Sequence, residues 1–207
     1  MVYDTIIHHV KTSTKAVAFT FDDGPNPVYT PQVLEIFKEV NGKATFFMIG
    51  ERMLKYPEIV DLVTAAKHEI GNHTNTHPGL SKLDPADVRH EIIETDRIIE
   101  RMIGKRPVTF RPPYFDYSEE ARDVCLQLGY RTIGAVHSDA RDWEMPGVDH
   151  IVAENRKQIR PGSIFIFHDG FDDRSQTVEA VRILAHELVE QGYELVTVSE
   201  LMNKVAE

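Results

Sequence analysis

One cysteine, Cys125, stands in 207 residues, so no disulfide can form within the chain. Its setting, "ARDVCLQLGY", reads as a buried helix position rather than a nucleophile. No apolar run approaches the roughly 20 residues of a membrane-spanning helix, so no membrane span is expected. The opening "MVYDTIIHHVKTS" has no apolar stretch of signal-peptide length, so the chain as given reads as soluble and cytoplasmic. A trimmed exported protein would read the same way, which leaves localisation unknown. Basic residues are the minority: 23 Lys and Arg face 33 Asp and Glu, a formal charge of −10. That balance excludes the clustered cations of a nucleic-acid binder and suits an uncharged or amine-bearing substrate.

What is present is a regular alternation. Apolar, β-rich runs occur at 16–21, 44–49, 69–73, 108–111, 131–136, 163–168 and 194–198. Between them the spacing predicts helices over 30–40, a broken pair over 51–67, then 85–103, 118–128, 149–159 and 175–191. In the 85–103 segment Asp84 is a candidate N-cap, Pro85 stands in the first turn, and Val88, Ile92, Thr95 and Ile99 form one stripe before Gly104. "LQLGYRT" and "EQGYELV" each read as helix, glycine cap, strand. Alternation without an internal repeat implies a parallel sheet, open or closed into a barrel. A single domain over residues 1–207 is the expectation, and a monomer.

The polar residues then fall in one place. In "FTFDDGPNP", Asp22 and Asp23 follow the first strand; His73 ends the third, Arg111 the fourth, and His168 and Asp169 the sixth. Asp139 and Asp142 follow the fifth. All are at C-terminal strand ends, where parallel α/β folds gather their sites. About seven strands with such a rim favour a distorted (β/α) barrel. The adjacent aspartates pose a question, because neighbours in a strand point to opposite faces. They could equally be solvated carboxylates in a turn.

"NHTNTHPG" places His73 and His77 four apart, between a strand and Pro78, in a tight turn or short helical loop. Two imidazoles and a carboxylate make a tripod for Zn²⁺ or a similar divalent ion with positions left open. The zinc-peptidase pattern fails, because Thr74 follows His73 where Glu is required. If Asp23 is the third ligand, Asp22 is free to act as base on a water attacking a carbonyl. His168 is then a candidate acid, with Asp142 holding its ring and Arg111 pairing with Asp22. That set of groups describes an amide or ester hydrolase.

"TFDDGP", "HTNTHP", "RPPY", "DARDW" and "IFHDG", in that order across residues 20–170, resemble the five motifs of the polysaccharide deacetylase family. This is the NodB-homology domain, or carbohydrate esterase family 4. The resemblance implies a distorted (β/α)₇ barrel, a carbohydrate substrate, and metal-dependent removal of acetyl from N-acetylglucosamine units of chitin or peptidoglycan, or occasionally from acetylxylan. Zn²⁺ is the implied ion, with Co²⁺ or Ni²⁺ as substitutes. It assigns Asp22 as base, Asp23, His73 and His77 as metal ligands, Arg111 as the partner of Asp22, and Asp142 as the residue tuning the acid His168. The Tyr114 backbone N–H is assigned to the developing oxyanion. Trp143 and Ile166 are to wall the acetyl pocket, with Tyr114 and Pro113 also against substrate. The family works mostly in secreted or cell-envelope settings.

Two departures stand out: Phe115 where the pattern usually has Gly, and Ile166 where Leu is usual. Other readings are a small-amide or cyclic-imide hydrolase on the same barrel, and a non-catalytic carbohydrate-binding relative. His8, His9, His68, His90, His150 and His186 are expected to be structural or solvated. Asp172, Asp173 and Arg174 are expected to form a solvated loop, and Val181, Leu184 and Leu188 to pack in the core.

Overall fold

The mostly apolar segments AVAFTFD, TFFM and IFIFH, too short for helices, become strands largely buried on both faces. The computed structural model describes residues 6–205, so the ends of the 1–207 domain and the first five residues of the leader reading lie outside the described residues. The strands are β1 (Ala16–Asp22), β2 (Thr45–Met48), β3 (Glu69–Asn72), β4 (Thr109–Phe110), β5 (Arg131–Thr132), β6 (Ile164–His168) and β7 (Glu194–Leu195). The helices are α1 (Tyr29–Glu39), α2 (Gly50–Lys55), α3 (Pro57–Ala65), α4 (Pro85–Ile103), α5 (Glu119–Leu128), α6 (Val148–Arg156), α7 (Ser175–Glu190) and α8 (Val198–Met202). All the strand pairings are parallel, in the order β5-β4-β3-β2-β1-β6, with β7 against the start of β1. This is a (β/α)₇ barrel. Among the described residues no helix is long and apolar enough to cross a membrane.

Alternation along β1 divides the interior into two layers. Val17, Phe19 and Phe21 point outward into the main core with Phe37 of α1 and Val181, Leu184 and Leu188 of α7. Ala16 and Ala18 point into the barrel with Phe47, Ile133 and Ile164, and α8 closes the lower end with Val198 and Leu201. Small residues low in the barrel leave room above them for a fully buried arginine, Arg111.

The barrel is distorted where β5 meets β6. The expected strand 131–136 ladders only at Arg131 and Thr132. Beyond them Ile7 bridges Ile133, His9 bridges Ser163, and the Val136 N–H donates to the Ile164 carbonyl at 2.8 Å. The N-terminal strap thus fills part of a gap that the two strands do not close. The expected strand 194–198 also ends early, because Thr197 and Glu200 form a capping box that starts α8. Asp84 holds the N-cap position of α4, but its side chain makes no capping bond. Gly104 ends that helix at φ 73°, as a left-handed cap should.

Candidate functional site

The two aspartates reach one site because the strand alternation is broken between them. Asp22 is the last residue of β1, in register with Phe47 and His168, and points inward like Thr20. Asp23 adopts φ 71°, a left-handed conformation that swings its carboxylate back to the same side. The next position must be glycine, since a Cβ on Gly24 would lie 2.7 Å from Asp169 Oδ1. Burial pushes the Asp169 carboxyl up to about 7, against the lowering effect of the Thr30 hydroxyl that donates to it. Other non-glycine residues with positive φ, including Thr74, His77, Tyr114, Phe115 and Phe171, also lie on loops at this rim.

Asp23, His73 and His77 form a group that could hold a metal ion, with one ligand atom from each all within 4.8 Å of one another. His73 Nδ1 donates to the Arg111 carbonyl at 2.6 Å, which leaves Nε2 facing the carboxylates. Nε2 lies 3.5 Å from Asp23 Oδ1, and His77 Nε2 lies 3.0 Å from the same oxygen. Yet Asp23 Oδ1 is buried and accepts no hydrogen bond. A buried oxygen and two ring nitrogens crowded together without aligned bonds fit a shared cation. Burial opposes ionisation of Asp23, but the imidazoles of His73 and His77, aided by the charge of His168, hold its carboxyl well below the usual range.

The loop between the two histidines is held by residues that motif reasoning missed. Buried Glu91 of α4 accepts from the backbone N–H groups of Asn75 and Thr76, each at 2.8 Å, and from the Thr76 hydroxyl at 2.7 Å. Asn72 accepts from the Thr74 N–H at 2.9 Å. Glu91 lies on the helix stripe next to Ile92, and a carboxylate at an otherwise buried helix position was the available signal.

Asp22 has separate partners. Arg111 Nη1 donates to Asp22 Oδ1 at 2.7 Å and to Thr20 Oγ1 at 2.6 Å. Its Nε and Nη2 donate to the Ile133 and Gly134 carbonyls, and the guanidinium lies 4.3 Å from the Phe47 ring centroid. Burial lowers the Arg111 pKa and the Asp22 charge counters it. Opposite stands His168. Asp142 Oδ1 accepts from His168 Nδ1 at 2.9 Å, and Oδ2 accepts the His168 backbone N–H at 2.8 Å and the Thr177 hydroxyl at 3.0 Å. Burial alone would lower His168, but Asp142, with Asp22 and Asp23, pushes it up to about 9.

Asp22, Asp23, His73, His77 and His168 line one cavity of about 540 Å³ together with Pro112, Tyr114, Phe115, Trp143, Ile166 and Phe171. Trp143 stands edge-on to His168 with ring centroids 5.2 Å apart, and Tyr114, 74% exposed, edge-on to His77 at 4.8 Å. Two expectations need correction. Pro113 is buried under its loop, and Pro112 lines the cavity instead. Arg174 is not solvated: it is buried, donates to the Gly170 carbonyl at 2.9 Å, and lines the cavity. Its charge is neighboured by Asp172 and Asp173, which are exposed. Phe171 also lines the cavity unforeseen, stacked under Arg52 at 4.7 Å.

Among the polar residues placed outside this cavity, Asp139 is exposed and its carbonyl accepts from His150. His68 packs on Phe37 and Phe46. Cys125 is buried, and burial pushes its thiol up to about 12. A carboxylate paired with a guanidinium, three side chains that could hold a metal ion and an imidazole held by a carboxylate thus surround one opening, the equipment for hydrolysing an acyl group.

Residues 9–133 match a family model described as polysaccharide deacetylase. A peptidoglycan-N-acetylglucosamine deacetylase of Bacillus cereus is 42% identical over 93% of this chain and 91% of its own. A chitooligosaccharide deacetylase of Bradyrhizobium is 37% identical over 89% of this chain and 89% of its own. Among solved structures, a pseudoenzyme of the CE4 family from Bacillus anthracis superposes with a TM-score of 0.89 at 28% identity, over 99% of this chain and 71% of the other.

Proposed function

The chain belongs to the polysaccharide deacetylase family, and we propose that, as a single catalytic domain, it removes acetyl groups from N-acetylglucosamine units of a peptidoglycan- or chitooligosaccharide-type glycan with a divalent metal. One observation carries this reading. Asp22 and Asp23 face the same cavity, and although His73 Nε2 lies 3.8 Å from Asp22 Oδ2, the closest partner of Asp22 is a guanidinium and those of Asp23 are two imidazoles.

Asp23, His73 and His77 would hold the ion, with Zn²⁺ ahead of Co²⁺ or Ni²⁺ on donor type. When bound, it would supply positive charge to a water and to the acetyl carbonyl. Asp22, held in place by the Arg111 guanidinium, takes the proton from the attacking water. The Tyr114 backbone N–H is assigned to the oxygen that gains charge as the carbonyl is attacked. His168 presents Nε2 to the leaving amine because Asp142 occupies Nδ1, and it donates the proton that lets the amine depart. Trp143 and Ile166 are suited to enclose the methyl group, an apolar end against a polar site.

The likeness to a pseudoenzyme means that the barrel alone does not decide activity. A binding-only relative should lack a ligand, the base or the acid, whereas every one of these groups is present here. Acetate release from chitooligosaccharides, peptidoglycan fragments and acetylxylan, measured with defined metal and with chelator, tests the reading. Release from the first two that chelation abolishes supports it. Glycan binding with metal and no acetate would return the chain to the binding class.

A further inference from the structure

Beside the catalytic cavity lies a second one of about 390 Å³, and Phe115, Trp143 and Ile166 line both. The two differ in chemistry. The first sets three carboxylates, Asp22, Asp23 and Asp172, beside His73, His77, His168 and Arg174. The second has no carboxylate among its described lining residues and instead gathers His8, His9, His137 and Arg160. In a chain of formal charge −10 this is a local reversal of sign.

Two of these four side chains are committed to structure. His8 Nδ1 donates to the Ala135 carbonyl and His9 Nε2 to the Pro161 carbonyl, each at 2.9 Å, pinning the N-terminal strap to the barrel. The other two are exposed, and among the described residues neither the Arg160 guanidinium nor the His137 ring has a hydrogen-bond or ion-pair partner. Phe115 is the partition. It replaces the usual Gly, yet holds φ 54°, a conformation costly for a bulky side chain, and is 42% exposed. Its ring therefore does little for the core and instead separates the cavity that holds carboxylates from the one that holds none.

Building on the deacetylase reading, we propose that the second cavity is a subsite for a carboxylate carried by the glycan next to the acetamide under attack. In peptidoglycan that carboxylate is the lactyl acid of N-acetylmuramic acid or the peptide built on it; chitooligosaccharides carry none. Arg160 is the principal partner, since a guanidinium grips a carboxylate with two parallel bonds, and His137 adds a ring nitrogen. The volume lies within the range of small-ligand sites. The subsite biases the enzyme toward peptidoglycan-type substrates over neutral chitin fragments.

The test compares wild type, Arg160→Ala and Arg160→Lys on three substrates of equal length: a GlcNAc–MurNAc fragment with free lactyl acid, one carrying its peptide, and a chitooligosaccharide. In Arg160→Ala, KM for the acid-bearing fragments should rise about tenfold, the loss of one charge-assisted contact of about 1.4 kcal/mol. kcat/KM on the chitooligosaccharide should stay within about twofold, and Arg160→Lys should recover part of the loss. Whichever acid-bearing fragment loses more identifies the source of the carboxylate. An equal change on all three substrates, or none, overturns the proposal.

Calorimetric binding of the fully de-N-acetylated muramyl fragment provides a readout without turnover. If wild type releases acetate from nothing, the deacetylase reading fails, yet binding that depends on Arg160 still upholds the subsite. Binding unaffected by the substitution rejects it in either case.

Discussion

Asp22 and Asp23 adjoin in sequence but differ in what they accept: Asp22 Oδ1 takes a 2.7 Å bond from Arg111, whereas Asp23 Oδ1, buried 3.0 Å from His77 Nε2, accepts none. The pair divides into a carboxylate satisfied by the protein and one left for a cation. Substitution should separate the two. Asp22→Asn should lower kcat by about 10²–10⁴ while metal affinity by calorimetry stays within a few-fold. Asp23→Asn should reverse the pattern in the binding assay, with metal lost first. Equal metal loss in both variants would sink the division of labour.

The acid should define the alkaline limb of the pH profile. His168 is pushed up to about 9, chiefly by Asp142 acting against burial, so the protonated acid is present below about 9 and is lost as pH rises through it. A cation on Asp23 would cancel that residue's part of the shift and leave the part due to Asp142. In Asp142→Asn the limb should move down by about a pH unit or more, with a lower plateau. kcat against pH at saturating metal measures this; an unmoved limb means that Asp142 does not set the His168 pKa.

Glu91 should act on the metal loop without touching the reaction. Glu91→Gln replaces one accepting oxygen with a donor, where three donors of Asn75 and Thr76 now converge. Metal affinity should fall about 10- to 100-fold, the usual cost of losing an outer-shell partner. kcat at saturating metal should remain near wild type. A drop in kcat with affinity intact would place Glu91 in the chemistry instead.

At the opposite end of the barrel, His68 should make the fold acid-sensitive. Burial, reinforced by Lys43, lowers its pKa from 6.5 to about 4, so between those values the unfolded chain binds the extra proton and stability falls as pH falls. The full loss is about 3 kcal/mol. Denaturant titrations from pH 7 to 4 should show that decline in wild type and a shallower one in His68→Gln. Parallel curves would mean that other groups carry the acid lability.

Much of the fold was legible in local signals. Strand-helix alternation, the Gly104 cap and the α4 stripe arise from neighbours a few residues apart, and each stands where expected. The departures arise from distant partners as well as from neighbours. The 131–136 run is apolar enough for a strand, but the strap at Ile7 takes the bonds that β5 would have made. Thr197 falls within the expected strand 194–198 but, with Glu200, caps the start of α8. Arg174 looked solvated because its neighbours are acidic, and it is buried because the Gly170 carbonyl and the cavity wall surround it.

Motif spacing and periodicity survive in one dimension, so the family, the barrel and the residue types gathered at one rim are legible along the chain. How those residues pair is set by the folded packing. Arg111 reaches Asp22 across 89 positions and Thr30 reaches Asp169 across 139. Asp142, 26 positions away, raises the His168 pKa against burial, burial raises that of Asp169, and a single left-handed turn at Asp23 sets which way its carboxylate faces. Such effects come from packing against distant segments in a low-dielectric interior, and no short stretch of sequence encodes them.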